Sequence, residues 1–382
     1  MAKQKFVKTS SAAHQDKTKP LGKKQKWVGH ASPGWRALSV GILFLVGVVT
    51  IDFVLDLVFK PWFMRTRISD ENQGNKFHQA LAAKADAYIF GDSRAQHHYD
   101  PKILEQYTGL RFFNAGVPGR GVLTMRFGAQ WIEQRQRPTL YLVNLSLTEF
   151  EIRDLTQRQL PVLHMFAPYK KDLPVYDEII QSVRVYDKKI WGKFAMVHAY
   201  RYRTHIQPMI FQACGQSCEP ANGFVPLVGT LNTQGVGYDA VRSDLLKPHY
   251  YMMEQFANFV QDAQQKNIRV VGCIGPAYRG ATEFRLTEIE WEYLQGVRQL
   301  LKLLKVPFIE IPEKGYPEFQ DPSFYFDAYH LNAKGAQFFS DKVGRHLKHM
   351  LWFSQHFAYE QSPYCPRIKP NEFVWHITLE NP

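Results

Sequence analysis

The hydrophobic pattern along the chain begins with a polar stretch, continues with one long apolar run and then changes to short apolar runs. Residues 1–36 contain few large apolar side chains and predict a disordered tail. The run Ala37–Phe59 has 23 residues, flanked by Trp35 and Trp62. At about 1.5 Å per residue, a helix of this length crosses a hydrocarbon core of about 30 Å. A cleaved signal peptide is the alternative, but its basic segment would be unusually long and no small-x-small site follows. We therefore predict a retained transmembrane anchor.

After a polar connector at residues 60–84, short apolar runs alternate with amphipathic stretches. Five runs have the length of buried strands, and the stretches between or after them have helical periodicity. Short strands that alternate with helices predict a parallel sheet with helices on both faces. The expected fold class is α/β, a three-layer sandwich. The predicted strands are Ala87–Phe90, Arg111–Asn114, Thr139–Asn144, Ile268–Ile274 and Pro307–Ile311.

Helix boundaries are marked clearly at two places. An N-cap acid, Asp100, precedes a proline at the first helical position, and Gly109 ends the same stretch. A last helix is expected from about Ala333, because apolar residues recur there at helical spacing. Its apolar stripe consists of Ala336, Phe339, Val343 and Leu347. The other helices are predicted at about 122–136, 249–266 and 283–305.

Two segments do not follow this alternation. One lies within the expected α/β domain, residues 85–356, and the other follows it. Residues 151–248 are rich in proline, tyrosine and glycine, and we interpret them as an insertion. Long connections are often functional, so the insertion is either a lid or acceptor surface over a site or irregular packing without a role. Residues 357–382 are expected to pack on the surface as an extension.

The basic charge is concentrated before the apolar run. Residues 1–36 hold nine Lys and Arg against one acid, which places eight of the twelve net positive charges there. This distribution argues against nucleic-acid binding and puts the N-terminus in the cytoplasm, with the following domain outside it, in the periplasm if the cell is Gram-negative. Asp52 and Asp56 share one face of the anchor. They reach either headgroup water or a polar patch on a membrane partner.

Cysteine and histidine spacing predicts neither a metal site nor a cofactor. Four cysteines are too few for a disulfide scaffold, although Cys214 and Cys218 could close a small loop in an oxidising compartment. Cys273 lies in an apolar run, and Cys365 has no obvious partner. His97 and His98 are adjacent, point about 100° apart on a helix and cannot clamp one metal. They are expected at the rim of a cleft or on the surface.

One apolar run ends in Gly91-Asp92-Ser93, which presents a serine hydroxyl at the carboxyl edge of the sheet. Serine needs a base and a group that orients the base. Asp327 and His330 supply both, because a three-residue spacing on a turn lets the carboxylate meet one imidazole nitrogen while the other faces Ser93. The plain alternative is that Ser93 caps a helix. We predict a Ser93–His330–Asp327 catalytic triad.

These motifs resemble those of the SGNH hydrolases, the GDSL family, over roughly residues 85–150 and 265–350. The matching residues are Gly91-Asp92-Ser93, Gly116, Asn144, Asp327 with His330, and Gly335. The resemblance implies an SGNH, flavodoxin-like sandwich with Ser93 as nucleophile. It also implies an oxyanion hole made by the Ser93 amide, the Gly116 amide and the Asn144 side chain.

The chain departs from the family pattern at two blocks. Arg94 replaces the leucine that usually follows the serine, and it either steers an anionic glycan or pairs with an acid. The third block reads Leu-Val-Asn-Leu around Asn144, without its usual Gly-x-Asn-Asp form. Glu149 is a substitute polar group in that loop, and Asn114 competes with Asn144 for the oxyanion role. Arg94, Asn114 and Glu149 are therefore the candidate substrate-binding residues.

The departures and the single anchor resemble the membrane-tethered branch of the family that modifies cell-surface polymers. This resemblance implies an extracytoplasmic acyltransferase, most simply an O-acetyltransferase of an exported polysaccharide, which works beside a multipass membrane acyltransferase. An esterase that hydrolyses acyl esters of glycans or lipids is the alternative. The alternative from another class is a glycan-binding or scaffold subunit of a secretion complex without catalytic activity.

Overall fold

The structure is a computed structural model of the chain. It describes residues 33–65, 76–146, 149–150, 166, 173–186, 222–233, 250–278, 288–311 and 315–356. The chain divides into two compact units, Met1–Thr50 and Ile51–Pro382, and each is described by itself. Some sequence predictions lie outside the described residues, namely the tail before residue 33, Cys214, Cys218, Cys365, the extension 357–382 and most of the 151–248 insertion.

Helix α1 (Pro33–Arg65) contains the predicted anchor. Within the described residues, its segment Gly34–Trp62 is the one helix long and apolar enough to cross a membrane. Its 29 residues extend over about 43 Å, which exceeds the thickness of a hydrocarbon core. The apolar side chains are exposed along it, as at Phe44. The long N-terminal apolar helix is thus confirmed, and its orientation in a membrane stays a prediction.

The sheet positions the predicted catalytic serine, and all of its strands are parallel. Its order is β2-β1-β3-β4-β5, so β1, β3 and β4 are interior strands. All five predicted strands are confirmed, with ends that differ by at most one residue. The strands are β1 (Ala87–Phe90), β2 (Phe112–Asn114), β3 (Leu140–Asn144), β4 (Arg269–Ile274) and β5 (Phe308–Glu310).

Alternate residues of the strands enter two separate hydrophobic cores. In β1, Tyr88 and Phe90 belong to one core, and Ala87 and Ile89 belong to the other. Every residue of β1 and β3 is buried, because helices cover both faces of the sheet. The three-layer α/β sandwich is confirmed.

Apart from α1, the α-helices of the described residues divide between the two faces. Those on the face of Ala87 are α3 (Ser93–His98), α4 (Pro101–Thr108) and α9 (Ala333–His356). Those on the face of Tyr88 are α2 (Lys76–Ala83), α5 (Val122–Glu133), α6 (Pro174–Tyr186), α7 (Tyr250–Gln265) and α8 (Glu288–Leu303). The boundaries predicted for α4 are confirmed, since the Asp100 side chain accepts the Lys102 N–H and Gly109 ends the helix at φ 71°.

Three helices differ from the sequence prediction. Helix α2 lies inside the expected connector and buries Phe77 and Ala80 in the core. Helix α3 begins at Ser93, and α6 lies within the expected insertion with Val175 and Tyr176 buried. Helices α2 and α3 are too short for several repeats of the 3.6-residue period, so the hydrophobic pattern does not reveal them.

Candidate active site

Ser93 is presented by a tight turn at the carboxyl end of β1. Gly91 forms that turn at φ 144°, where a side chain would be strained. A Cβ atom on Gly91 would also come within 2.8 Å of the Ala95 Cβ and 2.9 Å of the Asn144 Cβ. The next residue, Asp92, is the N-cap of α3. The glycine is therefore needed both for the bend and for the close approach of α3 to β3.

Ser93, His330 and Asp327 form one hydrogen-bonded chain. The His330 Nε2 lies 2.7 Å from the Ser93 Oγ. The His330 Nδ1 lies 2.9 Å from Oδ2 and 3.0 Å from Oδ1 of Asp327. Because Nδ1 faces a carboxylate, it carries the proton, and Nε2 is left as the acceptor toward the serine. This is the geometry in which a histidine takes a proton from a serine hydroxyl.

The Asp327 carboxylate is held as an anion. Its Oδ1 also accepts the backbone N–H groups of Tyr329 and His330, each at 2.8 Å. Burial alone would raise the pKa of Asp327, but the hydrogen bonds from the His330 side chain and from these two amides outweigh it, and the pKa lies below its ordinary value. The carboxylate can therefore stabilise an imidazolium without taking its proton.

The loop that carries these two residues, residues 325–332, is closed on itself and is called the Asp–His loop here. An isolated antiparallel bridge joins Tyr325 and Leu331. Asn332 then donates to the Ser323 carbonyl at 2.8 Å and accepts the Gly335 N–H at 3.0 Å. Sequence reasoning did not identify Asn332, although an asparagine directly before a helix is a recognisable cap signal.

Asn144 ends β3 beside the serine and is fully buried. Its Oδ1 accepts the Tyr99 hydroxyl at 2.8 Å, and its Nδ2 donates to Asp92 Oδ1 at 3.3 Å. The Cys273 thiol is hydrogen-bonded to the same Tyr99 hydroxyl, and burial raises the pKa of the thiol to about 12, so the thiol keeps its proton. A chain of buried polar groups thus fixes the amide of Asn144. Neither Tyr99 nor this use of Cys273 was predicted.

Two sequence predictions need correction at the end of β2. Asn114 is fully buried, and both polar atoms of its side chain are bonded to backbone groups, so neither is left for a substrate. Its Nδ2 donates to the carbonyls of Ala95 and Tyr99 at 2.7 and 2.9 Å, and its Oδ1 accepts the Gly116 N–H at 3.0 Å. The Gly116 amide is therefore already engaged, and it is not free for an oxyanion. Gly116 serves close packing instead, because a Cβ there would lie 2.5 Å from the Gln96 amide nitrogen.

The other two candidate substrate-binding residues differ in their exposure. Glu149 is buried, and its Oε2 accepts the Ser146 hydroxyl at 3.4 Å. A Cβ on Gly121, at the start of α5, would lie 2.7 Å from the Glu149 Oε1. Glu149 is thus packed inside the domain against Ser146 and Gly121, and the prediction that it contacts a substrate is wrong. Arg94 is partly exposed beside Ser93, with its guanidinium carbon 6.0 Å from the Tyr329 ring centre. It makes no ion pair among the described residues, and substrate binding by Arg94 stays a prediction.

The adjacent histidines have different surroundings. His98 is fully buried, and its Nε2 accepts the Leu331 N–H at 3.0 Å, which fixes the backbone next to His330. His97 is half-buried, and its ring meets that of His330 edge to face at 5.7 Å. Burial lowers the pKa of both, that of His97 to about 4. Within the described part of the chain, no group of three or more His, Cys, Asp or Glu side chains could hold a metal ion.

Residues 222–233, called the strap here, join the two sides of the site. On the serine side, the Val225 carbonyl lies 2.7 Å from the His97 Nδ1. On the other side, the Leu231 N–H donates to the Tyr325 carbonyl at 2.8 Å. The strap is part of the predicted insertion. Its backbone thus connects α3, which carries Ser93, to the Asp–His loop, which carries His330.

No protein-family model matches the chain, and no curated protein matches it. Among solved structures, an acetyl xylan esterase is similar with 14% identity and a TM-score of 0.32, over 70% of this chain and 98% of that one. A Bacteroides fragilis protein described as an acylhydrolase is similar with 9% identity and a TM-score of 0.35, over 74% of this chain and 99% of that one. Likeness at this level carries no function, so the function must be inferred from the site itself.

Proposed function

We propose that the protein is a serine acyltransferase that acts on esters at the outer face of a membrane. The observation that carries the proposal is the hydrogen-bonded chain from Ser93 Oγ through His330 to Asp327. A serine with a purely structural role does not need a histidine that is oriented by a carboxylate. A serine that attacks an acyl carbonyl needs both.

In the first step, the Ser93 Oγ attacks the carbonyl carbon of an acyl donor and its proton passes to the His330 Nε2. The tetrahedral intermediate then expels the donor alcohol, which takes that proton and leaves an acyl-serine. In the second step, an acceptor hydroxyl gives its proton to His330 and attacks the same carbonyl. The ester of the acceptor forms, and Ser93 recovers its proton. Asp327 keeps the imidazole oriented and stabilises its charged form in both steps.

The negative charge on the carbonyl oxygen needs hydrogen-bond donors. We assign this role to the Ser93 N–H and to the second N–H of Asn144 Nδ2, since its first N–H points to Asp92. Each such donor contributes about 3 kcal/mol to the stability of the transition state. The Gly116 amide is left out because Asn114 occupies it.

The acyl group is most simply acetyl, and the acceptor is a hydroxyl of a cell-surface or exported polysaccharide. The apolar helix α1 and the basic residues before it support a site held outside the cytoplasm near the membrane. A multipass membrane acyltransferase is the partner that would export the acyl group.

Hydrolysis is a second candidate, and one observation favours it. The side chains of His330 and Asp327 are 22% and 43% exposed, so water reaches the base. Water in place of the acceptor hydroxyl would make the same residues an esterase.

The test compares the two fates of an acyl group carried by the full-length protein in detergent. An activated acetyl ester is supplied with and without a soluble polysaccharide, and acetylated polymer and free acetate are both measured. Transfer that depends on Ser93 supports the acyltransferase. Acetate alone, also dependent on Ser93, supports the esterase, and turnover that Ser93→Ala leaves unchanged would refute both.

A further inference from the structure

His97 lies beside the proposed base without being part of the Ser93–His330–Asp327 chain. Its ring is 5.7 Å from that of His330, whose Nε2 contacts Ser93. An alcohol bound between Ser93 and His330 would therefore lie within reach of the His97 side chain.

The strap determines which nitrogen of His97 carries the proton. The Nδ1 lies 2.7 Å from the Val225 carbonyl, which can only accept, so Nδ1 is the donor. The Nε2 consequently has a free lone pair, and none of the described residues donates to it. Burial lowers the pKa of His97 to about 4, so the side chain remains neutral at ordinary pH. His97 thus offers one hydrogen-bond acceptor beside the site.

The attacking hydroxyl cannot use this acceptor, because its single proton goes to His330. A hydroxyl on the neighbouring carbon can use it. The two oxygens of a 1,2-diol are about 3 Å apart, comparable to a hydrogen-bond length. The first oxygen can then face Ser93 and His330 while the second faces His97.

We propose that His97 Nε2 accepts a hydrogen bond from the hydroxyl next to the one that carries or receives the acyl group. The preferred alcohol is therefore a vicinal diol, the arrangement found in sugar rings. This inference rests on the proposed function and specifies the alcohol that the same site takes. The contact is made equally in transfer and in hydrolysis, since each forms or cleaves the same ester.

Two nearly isosteric esters test the inference with the full-length protein in detergent. Hydroxyethyl acetate and propyl acetate differ by a hydroxyl in place of a methyl group at the end of the alcohol. The wild-type protein should have a higher kcat/KM for hydroxyethyl acetate. In His97→Asn this preference should fall about five- to tenfold, the effect of one hydrogen bond. The asparagine amide can still donate to the Val225 carbonyl, so the strap keeps its attachment.

Two further variants separate substrate recognition from structural support. His97→Gln places an amide oxygen near the former Nε2 and should restore part of the preference, although it gives up the bond to Val225. His346→Asn changes an exposed histidine on α9 and should keep the wild-type preference. An unchanged preference in a folded His97→Asn protein would overturn the inference while leaving the proposed function intact. Absence of Ser93-dependent turnover of either ester in the wild-type protein would overturn both.

Discussion

At the scale of single residues, the charge states around Ser93 determine how the site responds to pH. Asp327 has a lowered pKa and is ionised above about pH 5, whereas His97 and His98 have lowered pKa values and are neutral there. These three residues keep their charge between pH 5 and 8, and a histidine base is active only as the neutral imidazole.

The rate of acyl-serine formation should therefore rise with pH over this interval and then level off. A protonated His330 cannot accept the Ser93 proton, so the rate of acyl-serine formation is low at acid pH. The measurement is kcat/KM for an activated acetyl ester from pH 5 to 8. A flat profile would contradict a histidine base.

Tyr99 affects the site through another residue, as its hydroxyl holds the Oδ1 of Asn144. Tyr99→Phe removes one oxygen without opening a large cavity, and the freed amide can rotate away from the oxyanion. We expect kcat to fall about tenfold with little change in KM, because one hydrogen-bond donor to the oxyanion would be misaligned. Tyr141→Phe is the matched control, since Tyr141 is also buried but faces the other core and donates to Glu133. Equal losses in the two variants would indicate a general effect on the fold.

The sequence pattern identified the three residues that the structure joins by hydrogen bonds, Ser93, His330 and Asp327, but not the residues that support them. Ser93, Asp327 and His330 stand in recognisable local patterns, a strand-glycine turn and an acid three residues before a histidine. Asn114 was misassigned because an asparagine at a strand end has the same pattern whether its amide faces a cleft or the backbone of α3. Only the packing of α3 on β2 distinguishes the two.

At the scale of elements, the approach of α3 to the chain after β2 holds Ser93 in place. Gly116→Ala would put a Cβ atom 2.5 Å from the Gln96 amide nitrogen, so α3 must move. We expect a loss of about 1–3 kcal/mol in the free energy of unfolding, together with a loss of activity. Gly41→Ala is the control, because no atom lies within 4 Å of its added Cβ. Full activity and stability in Gly116→Ala would show that α3 is not constrained there.

The hydrophobic pattern was sufficient for the strands and for the longer helices. A buried parallel strand is apolar at every position, and the five runs in this chain are bounded by turns or polar residues. The strap has no such pattern. It is held by backbone hydrogen bonds to α3 and to the Asp–His loop, and these depend on contacts between residues distant in sequence.

At the scale of the whole molecule, the proposed function depends on which side of the membrane holds the site. The basic residues before α1 predict a cytoplasmic N-terminus. In sealed spheroplasts, protease added outside should degrade the Ile51–Pro382 unit and leave an N-terminal epitope tag protected. A tag that is removed while that unit survives would indicate the opposite orientation.

The most direct test of the proposed mechanism is the intact mass of the full-length protein after brief exposure to an activated acetyl ester. An acyl-serine mechanism predicts one added acetyl group on the wild-type protein, mapped to Ser93 and absent from Ser93→Ala. Ser323→Ala is a control that should still be labelled, because Ser323 contacts Asp321 and lies outside the Ser93–His330–Asp327 chain. An acetyl group that persists in Ser93→Ala, or a folded wild-type protein that never acquires one while it turns the ester over, would contradict an acyl-serine mechanism.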